Sequence, residues 1–410
     1  MYTKTKISFH AIIIIAFSAV LFSQPASISW QKIFGAEDFE GGKTEDIPAQ
    51  ILQTKNGSYI ITGETQGTDG ADIPSGMYIA KVNKTGTLVW IKFPAGDKSS
   101  YHAHPNIFNT TSDGGFIFGG KKYFSLGLTK IDEDVRITWN RKYDLDNIGD
   151  FLYVTETNGK NIAALLQGYG ESTSVMLTVD KNGNVVSVKK LSKEIDGFTV
   201  GSVSSTGDGG FVLAGTKYLA GYNSGSTSSQ DVRVMKLDGE GTIVWDRSFG
   251  GNKQDFGRYA SETSDGGFII AACSSSFNAR NEWDYYVIRI DMNGNKLWEK
   301  NYGVSDTNYI RACYETKDGG YICGGTHIGK TGSQYLLIKL DNKGAKQWEK
   351  SYGNEKLNLL MHGFIMTNDG GYAMVGQLEN IPALWIDNYM VKTDDKGNTG
   401  KFPRSLKGVK

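Results

Sequence analysis

The octapeptide Asp291-Met292-Asn293-Gly294-Asn295-Lys296-Leu297-Trp298 does not stand alone in this chain. Asp238 to Trp245 and Asp341 to Trp348 repeat its Asp, Gly and Trp at the same spacing. Asn83 to Trp90 does so with Asn for Asp, and Asp132 to Trp139 has Val135 in the Gly place. Asp180 to Ser187 and Asp394 to Lys401 keep the Asp and the Gly (Gly183, Gly397) but lose the Trp. Seven copies recur about every fifty residues. A unit this small cannot bury its apolar face alone, so it must pack on its neighbours.

A second motif precedes each copy. Thr263-Ser264-Asp265-Gly266-Gly267-Phe268 is the clearest case, and the other six begin at Thr54, Thr111, Thr157, Thr206, Thr316 and Thr367. Asp-Gly and Asn-Gly supply the positive φ of a tight hairpin, and the Thr hydroxyl is expected to bond the turn's amides. An aromatic and β-branched run follows and reads as a buried strand. Each unit is then strand A, the Thr turn, strand B, a variable loop, strand C, the Asp-x-x-Gly turn and strand D. Four antiparallel strands per unit is the build of a β-propeller blade, and seven units predict seven blades.

Ser29 to Gly35, with Trp30, reads as a strand D without a blade of its own, while the seventh unit lacks its Trp. The N-terminal strand is therefore expected to complete the last blade and close the ring, removing two sheet edges. Two positions after each Trp slot stands a basic residue: Lys32, Lys92, Arg141, Lys189, Arg247, Lys300 and Lys350. The expectation is that each stem packs along the Trp face with its charge at the rim.

The Asp, Gly and Trp spacing resembles the tryptophan-docking repeats of quinoprotein-dehydrogenase-like propellers, though one residue shorter between Asp and Gly. The unit as a whole is similar to repeats of secreted bacterial seven-bladed β-propeller proteins, over residues 28 to 402. The resemblance implies that Trp30, Trp90, Trp139, Trp245, Trp298 and Trp348 each pack between neighbouring blades. Ser187 departs from the pattern, so the third blade is expected to be the loosest. A quinone cofactor is possible by that resemblance alone; no pocket residues support one, and no cofactor is expected.

Lys4 and Lys6 followed by the apolar run Ala11 to Phe22 read as a secretory signal, placed at 1–24, with one propeller domain over 25–410. The run is short for a bilayer span, so no membrane insertion is expected after its removal. Export implies a secreted, cell-surface or periplasmic protein. With 44 basic and 44 acidic residues the chain shows no footprint for nucleic acid. The three Cys, Cys273, Cys313 and Cys323, are expected to be small buried apolar residues, although Cys313 and Cys323 flank one turn.

Function is read from the variable parts. The loops between B and C and between D and A vary, and that face is the expected working surface. Tyr218, Tyr222, Trp283 and Trp385, with Phe277, are candidate sugar-stacking or loop-anchoring aromatics. Seven residues before each Asp slot of the Thr turn stand Ala49, Asn106, Leu152, Gly201, Arg258, Arg311 and His362. Strand A lines the channel of a propeller, so Asn106, Arg258, Arg311 and His362 are candidates to converge at its mouth. Two Arg suit a carboxylate, sulfated sugar or uronic sugar through forked hydrogen bonds. His102 and His104, and the run Asp144 to Asp150, are weak metal candidates, and no metal is expected. The reading is a monomeric, non-catalytic binding protein for an extracellular glycan or a surface protein. The alternatives are a polysaccharide hydrolase or lyase at the channel mouth and an assembly scaffold.

Overall fold

The structure, a computed structural model, describes residues 29–34, 44–67, 76–93, 107–122, 125–145, 148–157, 159–168, 174–191, 198–218, 230–279, 282–303, 306–380 and 385–401. The stretch 1–24, read from sequence as a secretory signal, lies outside them. Twenty-eight strands and no helix form among the described residues. The chain opens with β1 (Trp30–Phe34) and the four strands β2 (Thr44–Gln53), β3 (Tyr59–Gly67), β4 (Gly76–Val82) and β5 (Leu88–Lys92). Next come β6 (Phe108–Thr110), β7 (Phe116–Lys122), β8 (Ser125–Ile131) and β9 (Ile137–Tyr143), then β10 (Ile148–Glu156), β11 (Ile162–Gly168), β12 (Val175–Val179) and β13 (Val185–Lys190). They are followed by β14 (Phe198–Ser205), β15 (Phe211–Tyr218), β16 (Gln230–Leu237) and β17 (Ile243–Phe249), and by β18 (Asp255–Glu262), β19 (Phe268–Ser274), β20 (Asp284–Ile290) and β21 (Lys296–Tyr302). The last are β22 (Thr307–Glu315), β23 (Tyr321–Ile328), β24 (Ser333–Leu340), β25 (Lys346–Tyr352), β26 (Asn358–Met366), β27 (Tyr372–Asn380) and β28 (Trp385–Thr393).

Five four-stranded antiparallel sheets run in chain order from β6 to β25. The remaining strands make one eight-stranded sheet of two antiparallel halves, β26-β27-β28-β1 and β2-β3-β4-β5. A single parallel pair, Glu45 with Ile386, joins the halves. β1 pairs with β28 from Trp30–Lys392 to Phe34–Asn388, so the first strand of the chain lies beside the last. First strands touch in succession, β2 with β6, β10, β14, β18, β22 and β26 each with the next, and β26 with β2.

The packing follows from side-chain alternation. A strand sends successive side chains to opposite faces. In β19, Phe268, Ile270 and Ala272 pack with Val212 and Val234 of the preceding sheet. Ile269, Ala271 and Cys273 pack with Cys313 and Leu336 of the following one. Both faces are covered, which is why strand B is a continuous apolar run and not an alternating one. The buried apolar residues form seven clusters among the described residues, each shared by two successive four-stranded units.

The two turn motifs do different work. Asp291 Oδ1 accepts the amides of Asn293 at 2.9 Å and Asn295 at 2.8 Å, and Gly294 takes φ 79°. The ring of Trp245 from the preceding sheet lies on that glycine: a Cβ there would sit 3.0 Å from the indole. The Trp245 Nε1 donates to Met292 O at 2.9 Å. Trp30 does the same across the junction of the chain's two ends, covering Gly86 and donating to Lys84 O at 3.0 Å. Trp139 meets Gly183, Trp298 meets Gly344 and Trp348 meets Gly397. Trp90 packs in the cluster that holds Val135, which takes φ 65° at the glycine position. Opposite Ser187, Leu191 approaches Gly241 in place of an indole. Lys92 and Lys350 lie 4.8 and 5.4 Å from the Trp90 and Trp348 ring centres, and Lys350 reaches Lys396 O of the next turn at 2.7 Å.

The Thr turn differs from the sequence expectation. The Thr263 hydroxyl donates to Asp265 Oδ1 at 2.7 Å, and that carboxylate accepts the Gly267 amide at 3.1 Å. A hydroxyl placed beside an ionised carboxylate serves as its donor. Each turn Asp also caps a buried cation from strand C: Lys130 with Asp113, Lys236 with Asp208, Arg289 with Asp265, Lys339 with Asp318 and Lys392 with Asp369. The first and third units carry Asn56 and Gly159 at the Asp slot.

The expectation that all three cysteines are simply small buried apolar residues fails at one pair. Cys313 and Cys323 stand directly opposite on β22 and β23, with Cα atoms 4.1 Å apart, and form a disulfide. Cross-strand pairing across a short hairpin brings the two Cβ atoms within bonding range. Cys273 is free and buried.

Candidate functional site

The first strand of six four-stranded units carries a register break, and it falls at the same place. Pairing skips Ala49, Leu152, Gly201, Arg258, Arg311 and His362. These are the positions seven residues before the turn slot. A bulge leaves one residue outside the ladder and re-aims its side chain. The sequence places the residues; it carries no signal for the bulge itself.

Five of the six line one cavity of about 180 Å³: Ala49, Gly201, Arg258, Arg311 and His362. From the bulges the lining continues along the first strands through Gln50, Tyr259 and Ala312 to Leu52, Tyr314 and Ile365. The cavity thus extends toward the Thr-turn end of the strands, away from the variable loops. Asn106 and Tyr222, like His102 and His104, lie outside the described residues.

The charges are uncompensated. No carboxylate lines this cavity, and neither Arg258 nor Arg311 forms an ion pair with a described residue. Burial, then the neighbouring Arg258 charge, pulls Arg311 below the usual guanidinium range. Burial and the Arg311 charge push His362 down to about 4, against a hydrogen bond to Gln377 that favours protonation. His362 is therefore neutral at pH 7. Its Nε2 lies 3.1 Å from Gln377 Oε1, while the Gln377 amide donates to Glu379 at 2.8 Å. That orientation makes His362 Nε2 the donor and leaves Nδ1 an acceptor. Gln50 Oε1 is buried on the wall with no hydrogen-bond partner. The Tyr314 hydroxyl is occupied by Phe364 O at 2.9 Å, and its ring meets Tyr259 and Phe364 at 5.4 and 5.5 Å.

Of the loop aromatics, the side chains of Trp283 and Phe277 are described. Trp283 is half-buried and stacks 4.7 Å from Phe256, which is loop anchoring. Phe277 is exposed and lies 5.0 Å from Tyr286. Tyr218 ends β15 and Trp385 begins β28. Among the described residues no group of three or more His, Cys, Asp or Glu is placed to hold a metal. The Asp144 run is only partly described, and Ile148 to Asp150 belong to β10.

Two buried polar corners beside the variable loops make an instructive pair. At one, Asp284 accepts from the amides of Asn278 at 2.8 Å, Asn301 at 3.0 Å and Asn308 at 3.3 Å. At the equivalent corner one sheet earlier, Asp255 takes the place of Asn308 and faces Asp231 across Gly250. A Cβ on Gly250 would lie 2.6 Å from one carboxylate and 2.9 Å from the other. Burial, then the Asp255 charge, raises Asp231 above the usual carboxylate range.

No family model and no curated protein matches the chain. Among solved structures it is similar to a protein of unknown function from Dyadobacter fermentans, at 10% identity and TM-score 0.51, over 88% of this chain and 98% of that one. It is similar to the same degree to Sqt1 from Chaetomium thermophilum, at 10% identity and TM-score 0.51, over 90% of this chain and 99% of that one. Likeness at this level concerns the fold alone. Together with the repeated four-stranded antiparallel sheets it defines an all-β, propeller-like repeat protein.

Proposed function

We propose that the protein is an exported, non-catalytic binding protein, built as a closed ring of seven blades that holds an anionic ligand in its central channel. Ring closure is supported by the pairing of β1 with β28, the docking of Trp30 on Gly86 and the contact of β26 with β2. It is supported too by seven core clusters that each join successive units. One observation carries the ligand reading: Arg258 and Arg311 converge beside a neutral His362 with no carboxylate among them. Arg258 is exposed and Arg311 half-buried, so the cost of setting the two like charges together falls mainly on Arg311, and an anion supplied from outside offsets it. Guanidinium groups stay protonated at neutral pH, so this lining suits holding a charge more than moving a proton. An anionic extracellular glycan and a small free anion both meet the requirement.

The test is calorimetric titration of the mature chain with uronate and sulfated oligosaccharides, inorganic sulfate and simple carboxylates. The expected result is binding of at least one anion, lost in the Arg258→Met, Arg311→Met double variant. Binding that the double variant retains removes the site, and binding of no anion removes the function.

A further inference from the structure

The cavity is not polar throughout. At the bulge level it presents Arg258, Arg311 and His362, but toward the Thr turns it presents the half-buried Leu52 and Ile365. The Tyr314 hydroxyl is already bonded to Phe364 O and is not free for a sugar. A hexuronate would set several hydroxyls against aliphatic side chains, and each buried hydroxyl without a partner weakens binding. The volume is also small. An apolar cavity of about 150 Å³ accepts a benzene ring, and this one measures about 180 Å³. A single ring or branched chain fills it.

On the anion-binding reading above, the geometry points to a small monocarboxylate with a compact apolar body as the ligand class. The carboxylate takes the Arg258 and Arg311 guanidinium groups in the forked geometry such pairs favour. The apolar body lies beside Leu52 and Ile365. Anionic polysaccharide, the broader expectation, fits the charge and not the wall.

The discriminating experiment compares 4-hydroxyphenylacetate, glucuronate and inorganic sulfate as probes by calorimetry on the mature chain, wild type and Arg311→Met. The inference expects 4-hydroxyphenylacetate to bind at least tenfold more tightly than glucuronate or sulfate, and to lose at least tenfold in Arg311→Met. Leu52→Asn, checked for an unchanged melting temperature, should weaken 4-hydroxyphenylacetate several-fold and leave sulfate unchanged. If glucuronate or sulfate binds as tightly as the aryl acid and all depend on Arg311, the ligand class is wrong while the anion site stands. If no probe binds, or none responds to Arg311→Met, both fall.

Discussion

Substituting the two members of one turn-capping pair should give opposite results. Lys339 is 6% exposed, and its Nζ lies 2.9 Å from Asp318, which is 57% exposed. The ammonium also donates to Leu340 O at 3.1 Å. Removing the carboxylate leaves a buried charge with one carbonyl partner, whereas removing the lysine leaves a carboxylate that water can reach. Burial raises the Asp318 pKa, but the Thr316 hydroxyl, Lys339 and the Gly320 amide outweigh it and hold the group at about 2 against 3.8. At about 1.4 kcal/mol per unit the full shift would be worth about 2.4 kcal/mol. Solvent screening at a half-exposed group cuts this to about 1 kcal/mol. Asp318→Asn should therefore cost about 1–2 kcal/mol at pH 7, and Lys339→Met should be nearly neutral, as apolar replacement of a buried ion often is. Because the folded pKa lies below the unfolded one, the pair's contribution is complete above about pH 4 and is lost as pH falls toward 2. Asp113 and Asp208 are held at about 2 in the same way. Urea midpoints at pH 7, 5, 4, 3 and 2 measure the effect. A Lys339→Met variant as unstable as Asp318→Asn, or a wild-type midpoint flat from pH 5 to 2, would refute the reasoning.

Two further outcomes are expected. A chain beginning at residue 40 loses β1, frees the β28 edge and uncovers Gly86; it should aggregate or unfold well below the mature chain, and equal thermal stability would dismiss ring closure. Asp255→Asn should copy the Asn308–Asp284 arrangement and stabilise by about 1 kcal/mol at pH 7. Since the Asp231 pKa is raised in the fold, wild-type stability is lost as pH rises through it. The gain from Asp255→Asn should thus shrink on acidification, and a gain independent of pH in urea titrations would count against the like-charge account.

The repeat made much of the architecture readable. Asp-x-x-Gly and Thr-x-Asp-Gly turns are local, since one glycine with positive φ and one side-chain oxygen define each, and Trp30 announced its partner because its own unit was missing. Counting back from Asp265, Asp318 and Asp369 named Arg258, Arg311 and His362, which share one cavity. What sequence did not disclose depends on contacts between units. Nothing in the sequence marks the lysines of strand C as buried, yet Lys236, Lys339 and Lys392 are 6%, 6% and 2% exposed beneath the turn carboxylates. Cys313 and Cys323 read as apolar packing because only the hairpin register sets them face to face. Leu191 was invisible as a stand-in for the absent indole, since its contact with Gly241 crosses to the next sheet.

The recurring bulge separates what the scaffold needs from what the ligand needs. Its residue gives up its rung in the hydrogen-bonded ladder, so the side chain there can change while the flanking pairs keep their register, except at Gly201, where a Cβ would sit 2.7 Å from Gly257 O. Ala, Leu, Gly, Arg and His already occupy it within one molecule. A family of proteins on this frame could acquire new ligands by changing a handful of codons at one level of its first strands, with the paired residues on either side left in place.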